Sequence, residues 1–293
     1  MMEGKEDDTM IYEKINYTED GRVNLQTYIP DLIREDLPLR PAMIACPGGG
    51  WEFHGAAEGE GVALTFVKEG YAGFVLNYSL GEYSSFPNPL VEISWAIRTV
   101  REHAEEWHID PNRIFISGFS AGATVAALSA TQWNDPRVCE VLGGEASMYR
   151  PDAALLAYGV YEISLAFSMV FSGVDLLSIP KEVAIEQGMK MGFTLGQIVA
   201  NLAKEVNVID YVSKDSAPMF IFQSKTDEFV PVSNAERLAA KMEEFGRPYV
   251  LHLFESGRHG MSVNNRLTDP VEEIDPNWSQ WVEKSLAWLE KIT

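Results

Sequence analysis

The chain has 293 residues, 46% of them hydrophobic and 23% charged, enough to bury one large α/β core or a core carrying an insertion. Its 43 acidic against 23 basic side chains leave a formal charge of −20, which works against binding a nucleic-acid backbone or an anionic lipid surface. No apolar run is long enough to span a bilayer, and the opening "MMEGKEDDTM" has no apolar signal core, so a cytoplasmic protein with no nucleic-acid and no membrane partner is expected.

No internal repeat is visible, and strand-like runs alternate with longer helical patterns, which predicts βαβ units around a mostly parallel sheet. "PAMIACPGGG" predicts a buried strand ending in glycines, "ALTFVKEGY" a helix and "AGFVLNYSL" the next strand. "NPLVEISWAIRTVREHAEEW" carries Val91, Trp95, Ile97, Val100 and Ala104 close to helical spacing, so a helix is expected through Trp107. "DPNRIFISG" begins as a turn and becomes a strand, and an alanine-rich helix follows from near Ala121. "DAALLAYGVY", "APMFIFQSKTD" and "RPYVLHLFES" predict three more strands. The helix "SNAERLAAKMEEFG" separates the last two and should stop at Gly246. A final helix places Trp278, Trp281, Val282, Leu286 and Leu289 on one stripe, a sheet-packing face. Cys46 and Cys139 form no Cys-x-x-Cys pair and are expected to be reduced.

One segment breaks the rhythm. Residues 162–208 hold helical patterns and no strand alternation, too long for an ordinary connection. They read as a helical cap insertion, rich in Met and Phe, beside a core made of residues 1–161 and 209–293.

Between the strand residues Ile114 to Ile116 and the helix lies "GFSAG", residues 118–122. Gly-x-Ser-x-Gly alone is a weak signal; between a strand and a helix it matches a nucleophile elbow, where small neighbours tolerate a strained serine at a helix N-terminus. A glycine-rich turn with Ser120 merely capping the helix is the plainer alternative. A serine hydroxyl needs a base. Among five histidines, His103 and His108 fall near a solvated helix end and His252 lies within a strand. His259, in "ESGRHGMS", sits on a Gly-flanked loop after a strand and is the candidate base. A carboxylate must orient it. "SKTDEFVPV" offers Asp227, with Glu228 as a solvated neighbour. The order Ser120, Asp227, His259 is that of α/β-hydrolases.

Acyl transfer also needs a place for the oxyanion. "CPGGGW", residues 46–51, ends a strand with three glycines whose N–H groups meet no Cβ obstacle, so Gly49 and Gly50 are candidate donors alongside Ala121. A phosphate-cradling loop is the competing reading, but no Lys-Ser/Thr pair follows. Trp51 and His54, next along, are candidate substrate-binding residues, Trp51 as a stacking platform for a sugar or as packing.

These pieces, with "GYAGFVLNYSL", "WHIDPNRIFISGFSAG", "TDEFVPV" and "GRHG", resemble α/β-hydrolases of the esterase/lipase superfamily, close to small bacterial carbohydrate-esterase-like (acetylxylan esterase-like) members. The resemblance runs from Pro41 to His259 and implies an α/β-hydrolase fold and acyl removal from small or sugar-borne esters, with no cofactor and no metal. Two departures stand out: Pro47 replaces the histidine that opens the loop motif of hormone-sensitive-lipase-like relatives, and the elbow continues Gly122-Ala123 where relatives often have two glycines. The expected partner is a small-molecule ester substrate such as an acetylated sugar. The same residues would suit an amide or peptide hydrolase, aryl-formamidase-like or a small peptidase, and an inactive hydrolase-fold binding protein is the reading from outside enzymes.

Overall fold

The computed structural model describes residues 10–34, 36–162, 180–190 and 193–292. Its sheet contains β1 (Met10–Ile11), β2 (Lys14–Asn16), β3 (Asn24–Pro30), β4 (Arg40–Cys46), β5 (Ala72–Asn77), β6 (Ile109–Phe119), β7 (Ala153–Ala157), β8 (Met219–Ser224) and β9 (Tyr249–Phe254). The spatial order is β1-β3-β5-β4-β6-β7-β8-β9, with β2 also on β3. From β5 to β9 every neighbouring pair is parallel, while β3 joins β5 antiparallel. This is the mostly parallel α/β architecture expected from the sequence.

Both faces of β5, β7 and β8 are buried, which explains why they read as apolar runs, while β9 at the sheet edge is half-buried. Along β4, Met43 and Ala45 join one core cluster while Ile44 and Cys46 join the other. One cluster lies under α1 (Glu60–Lys68) and α8 (Gln280–Ile292), where Val62, Phe66, Trp281 and Leu289 meet Phe115 and Phe222. The opposite cluster lies under α2 (Asn88–Glu102), α3 (Ala121–Gln132), α4 (Pro136–Leu142) and α7 (Ser233–Glu244). Every residue of α3 is buried, which its small side chains permit at close range. Both cysteines are free thiols.

Three boundaries differ from expectation. The helix drawn to Trp107 ends at Glu102; turns then carry the chain down so that Trp107 packs on Phe74, ring centroids 5.5 Å apart. Asp110-Pro111, expected as a turn, lies inside β6, where the register against β4 shifts between Arg40 and Ala42. Such an irregularity is where a sheet accepts proline. Trp278 precedes α8 rather than belonging to it, yet is fully buried. Gly246 does follow the end of α7, at φ +60°.

Of the expected insertion, residues 163–179 and 191–192 lie outside the described residues. The rest holds α5 (Lys181–Lys190), α6 (Leu195–Ala200) and two 3₁₀ turns, Lys204–Val206 and Val208–Tyr211, with no strand among the described residues. Among the described residues no helix is long and apolar enough to cross a membrane.

One buried acid in this frame carries a cost. Glu92 of α2 is 3% exposed and accepts from the hydroxyl and N–H of Ser79. Burial pushes its carboxyl up to about 7, against the lowering effect of those two hydrogen bonds. A folded-state pKa above the unfolded value means that the folded chain holds the proton longer. Stability is therefore full below the unfolded pKa of about 4.5 and is lost as pH rises through about 7, by on the order of 3 kcal/mol. Glu92→Gln, neutral at every pH, should cut the fall in Tm between pH 5 and pH 8 by several degrees. An unchanged fall in the variant contradicts this assignment.

Candidate active site

β6 is flanked by β4 and β7, and its last residue leads directly into Ser120. Ser120 has φ 51° and ψ −119°, a left-handed backbone that costs a side-chain-bearing residue free energy. The flanking glycines hold it there. A Cβ on Gly122 would lie 2.0 Å from the Cys46 carbonyl oxygen, and one on Gly118 would lie 2.3 Å from the Gly122 carbonyl oxygen. The Ser120 N–H donates to the Ala157 carbonyl at 3.0 Å, tying the turn to β7. The side chain thus stands at the C-terminal rim of the sheet, at the N-terminus of α3.

His259 reaches that point from the loop after β9. Its Nε2 lies 2.8 Å from Ser120 Oγ, across 139 positions of sequence, and its Nδ1 lies 2.9 Å from Asp227 Oδ2. A carboxylate accepts only, so Nδ1 carries the proton and Nε2 is left to accept from the serine hydroxyl. Asp227 follows β8, its side chain 1% exposed. Its Oδ1 accepts the N–H groups of Phe229 and Val230, both at 2.9 Å. One oxygen of the carboxylate is fixed by backbone; the other faces the imidazole and also accepts from Gln223 Nε2 at 3.5 Å. Glu228 is exposed.

The glycine loop after β4 closes on itself through Gly55 N–H donating to the Gly48 carbonyl at 2.9 Å. Gly49, at φ +135°, could not carry a Cβ, which would fall 2.0 Å from the Phe53 carbonyl oxygen. Among the described residues the N–H groups of Gly49, Gly50 and Ala121 have no hydrogen-bond acceptor, whereas Gly48 N–H is taken by Glu58 Oε2 at 2.8 Å.

Trp51 is buried and His54 half-buried beside the glycine loop. Trp51 is 5% exposed and its ring packs edge-on against Tyr78 at 5.5 Å. The His54 ring packs on the same Tyr78 at 4.8 Å, and burial pushes its pKa down to about 4. Both brace the loop around Tyr78, whose hydroxyl donates to the Pro47 carbonyl at 2.6 Å. The remaining histidines lie elsewhere: His103 and His108 contact the carbonyl oxygens of Thr99 and Leu37, and His252 packs on Phe254.

Four neighbours of the site were not singled out from sequence. Tyr158, just past β7 at φ +40°, packs edge-on against His259 at 4.9 Å. Phe229 lies 5.5 Å from the same imidazole and is 75% exposed. Phe53, on the glycine loop, is also exposed. Glu58 is buried behind that loop. An aromatic ending an apolar strand marks Tyr158 weakly; the others carry no local signal.

A model of the BD-FAE family matches residues 25–242, well over half of the chain. Among curated relatives, endo-1,4-beta-xylanase B of Butyrivibrio fibrisolvens is 29% identical over 86% of this chain and 37% of its own length. The acetylxylan esterase of Xylanibacter ruminicola is 26% identical over 90% of this chain and 49% of its own length. The chain therefore spans about half the length, or less, of these two relatives. Among solved structures, MGS-M1, an α/β hydrolase enzyme from a Medee basin deep-sea metagenome library, superposes with a TM-score of 0.73 at 27% identity, covering 97% of this chain and 98% of that one. With this sheet order, this serine elbow and these matches, the chain belongs to the BD-FAE family and is an esterase-like α/β hydrolase.

Proposed function

We propose that the chain is a serine hydrolase of small carboxylic esters that works through an acyl-enzyme on Ser120. The observation that carries this reading is the continuous line from Ser120 Oγ to His259 Nε2 at 2.8 Å and from His259 Nδ1 to Asp227 Oδ2 at 2.9 Å. In the proposed reaction His259 takes the Ser120 proton while Oγ bonds to the ester carbonyl carbon. The carbonyl π pair moves to oxygen, where N–H groups of Ala121 and of Gly49 or Gly50 receive it. Collapse of this adduct breaks the bond to the alcohol, which leaves with the proton from His259. Water then loses a proton to His259, attacks the acyl carbon and releases the acid, returning the proton to Ser120. Asp227 holds the imidazole in the tautomer that both halves need and stabilises the imidazolium.

Acetyl esters of sugars or related alcohols are the substrate class we favour. The support is similarity: one relative bears the name acetylxylan esterase and another is a xylanase. We read the segment 162–208 as a helical cap insertion that shapes the acyl and alcohol pockets. Its α6 docks on the glycine loop, where the Gly196 N–H donates to Glu52 Oε1 at 2.8 Å. A Cβ on Gly196 would lie 2.4 Å from the Trp51 carbonyl oxygen, so this approach needs glycine.

Ser120→Ala should lose at least about a thousandfold in p-nitrophenyl acetate hydrolysis and all labelling by a fluorophosphonate, with an unchanged Tm. Retained hydrolysis in that variant would falsify the acyl-enzyme. Asp227→Asn leaves the side-chain shape but favours the wrong imidazole tautomer, and kcat should fall by about 10³ to 10⁴. For the alcohol, acetylated xylo-oligosaccharides should outcompete p-nitrophenyl butyrate in kcat/KM; the reverse ranking removes the sugar assignment.

A further inference from the structure

Behind the glycine loop lies a carboxylate that the reaction above does not use. Glu58, in the 3₁₀ turn Ala56–Glu58, is 8% exposed. Its Oε2 accepts the Gly48 N–H at 2.8 Å and its Oε1 accepts the Tyr158 hydroxyl at 2.7 Å. That hydroxyl in turn accepts the Ser262 N–H at 2.9 Å. Ser262 Oγ donates back to the Ala57 carbonyl at 2.6 Å, next to Glu58 itself. The result is a closed ring of hydrogen bonds through three distant segments: the glycine loop with its 3₁₀ turn, the end of β7 and the loop that carries His259.

The packing around the ring is close. A Cβ on Gly48 would lie 2.6 Å from Glu58 Oε2 and 2.8 Å from the Ser120 Cβ, so carboxylate and serine lean on the same Cα. The Tyr158 ring supports the His259 imidazole from the side. Two indoles pin the same loop, with Trp278 and Trp281 Nε1 both donating to the Ser262 carbonyl, at 2.8 and 3.0 Å. Burial raises the Glu58 carboxyl, and the two donors together with nearby His259 and Arg258 offset only part of that rise. An acid retained in such a place is costly unless each lone pair in use has a donor, and here both oxygens do.

We propose that Glu58 is a positioning residue for the acyl transfer. Through Gly48 it sets the loop bearing the oxyanion donors. Through Tyr158 and Ser262 it sets the loop bearing His259. Donors and base are thereby held as one body, although neither loop shares a strand with the other. This rests on the acyl-transfer reading.

Two variants test it. Glu58→Gln keeps the shape but has one acceptor oxygen, so with Gly48 N–H on that oxygen the amide can meet the Tyr158 hydroxyl only as a donor, which reverses that bond and displaces the hydroxyl proton. Tyr158→Phe leaves the Gly48 bond and cuts the link to Ser262. Each should lower kcat for p-nitrophenyl acetate by about 10- to 100-fold while KM stays within about twofold, since misplacement of positioned groups costs that much. The double variant should be no worse than the poorer single, because both act through one ring. A second reading is independent of turnover: in Glu58→Gln, amide hydrogen exchange should quicken together in residues 47–53 and 257–262. Wild-type kcat in both folded variants, a loss confined to KM, or faster exchange in one loop alone overturns the proposal. If Glu58→Gln does not fold, Tyr158→Phe decides by the same kinetic criteria. If the wild-type chain hydrolyses no ester, the proposed function fails and the paired exchange still decides whether Glu58 couples the two loops.

Discussion

The contact between the start of α3 and the end of β4 decides where everything else in the site can stand. Gly122 meets the Cys46 carbonyl so closely that no side chain fits between them. That approach pulls the helix N-terminus against the strand end and bends Ser120 into a positive-φ turn. It also sends the chain after Cys46 past the serine as a run of glycines. Ser120 and the candidate oxyanion donors are thus neighbours because of one packing constraint. The parallel register does the remainder. β8 and β9 end at the same rim as β6, so the loops that follow them bring Asp227 and His259 to the serine.

The glycine loop would be pliable in isolation, since glycine loses the most conformational freedom on ordering. The fold fastens it at successive points. Tyr78 holds the Pro47 carbonyl, Glu58 the Gly48 N–H, and the N–H of Glu52 the Gly49 carbonyl. From the insertion, Gly196 holds the Glu52 carboxylate. Preorganised donors stabilise developing charge without reorganising during the reaction, which is where such rigidity earns its place. The buried acids differ accordingly. Asp227 and Glu58 are enclosed by donors that belong to the site, whereas Glu92 accepts from Ser79 and makes the fold less stable as pH rises from about 4.5 through about 7.

Much of this was legible in the chain because it depends on local pattern. Apolar runs marked the inner parallel strands, since both faces are covered. Gly118 and Gly122 marked the elbow, since only glycine fits there. Asp227 and His259 could be picked by their places after strands. What sequence hid is non-local. The packing of Trp51 and His54 on Tyr78, more than 20 residues away, leaves no local mark. Glu58 is one acid among many in an acidic chain; its role depends on Tyr158 and Ser262, 100 and more residues away. The end of α2 and the placement of Asp110-Pro111 within β6 were set by packing and by a register shift, neither of which leaves a mark in spacing.

Acyl transfer at this site needs Ser120, His259 and the glycine loop to act as one centre. A crystal structure of the protein after reaction with a small phosphonate ester reads all three parts at once. The account requires phosphorus bonded to Ser120 Oγ, with the phosphoryl oxygen about 2.7–3.1 Å from the N–H of Ala121 and from that of Gly49 or Gly50, and His259 still between Ser120 and Asp227. Phosphorus on another side chain, or a phosphoryl oxygen turned to solvent away from both N–H groups, would contradict it.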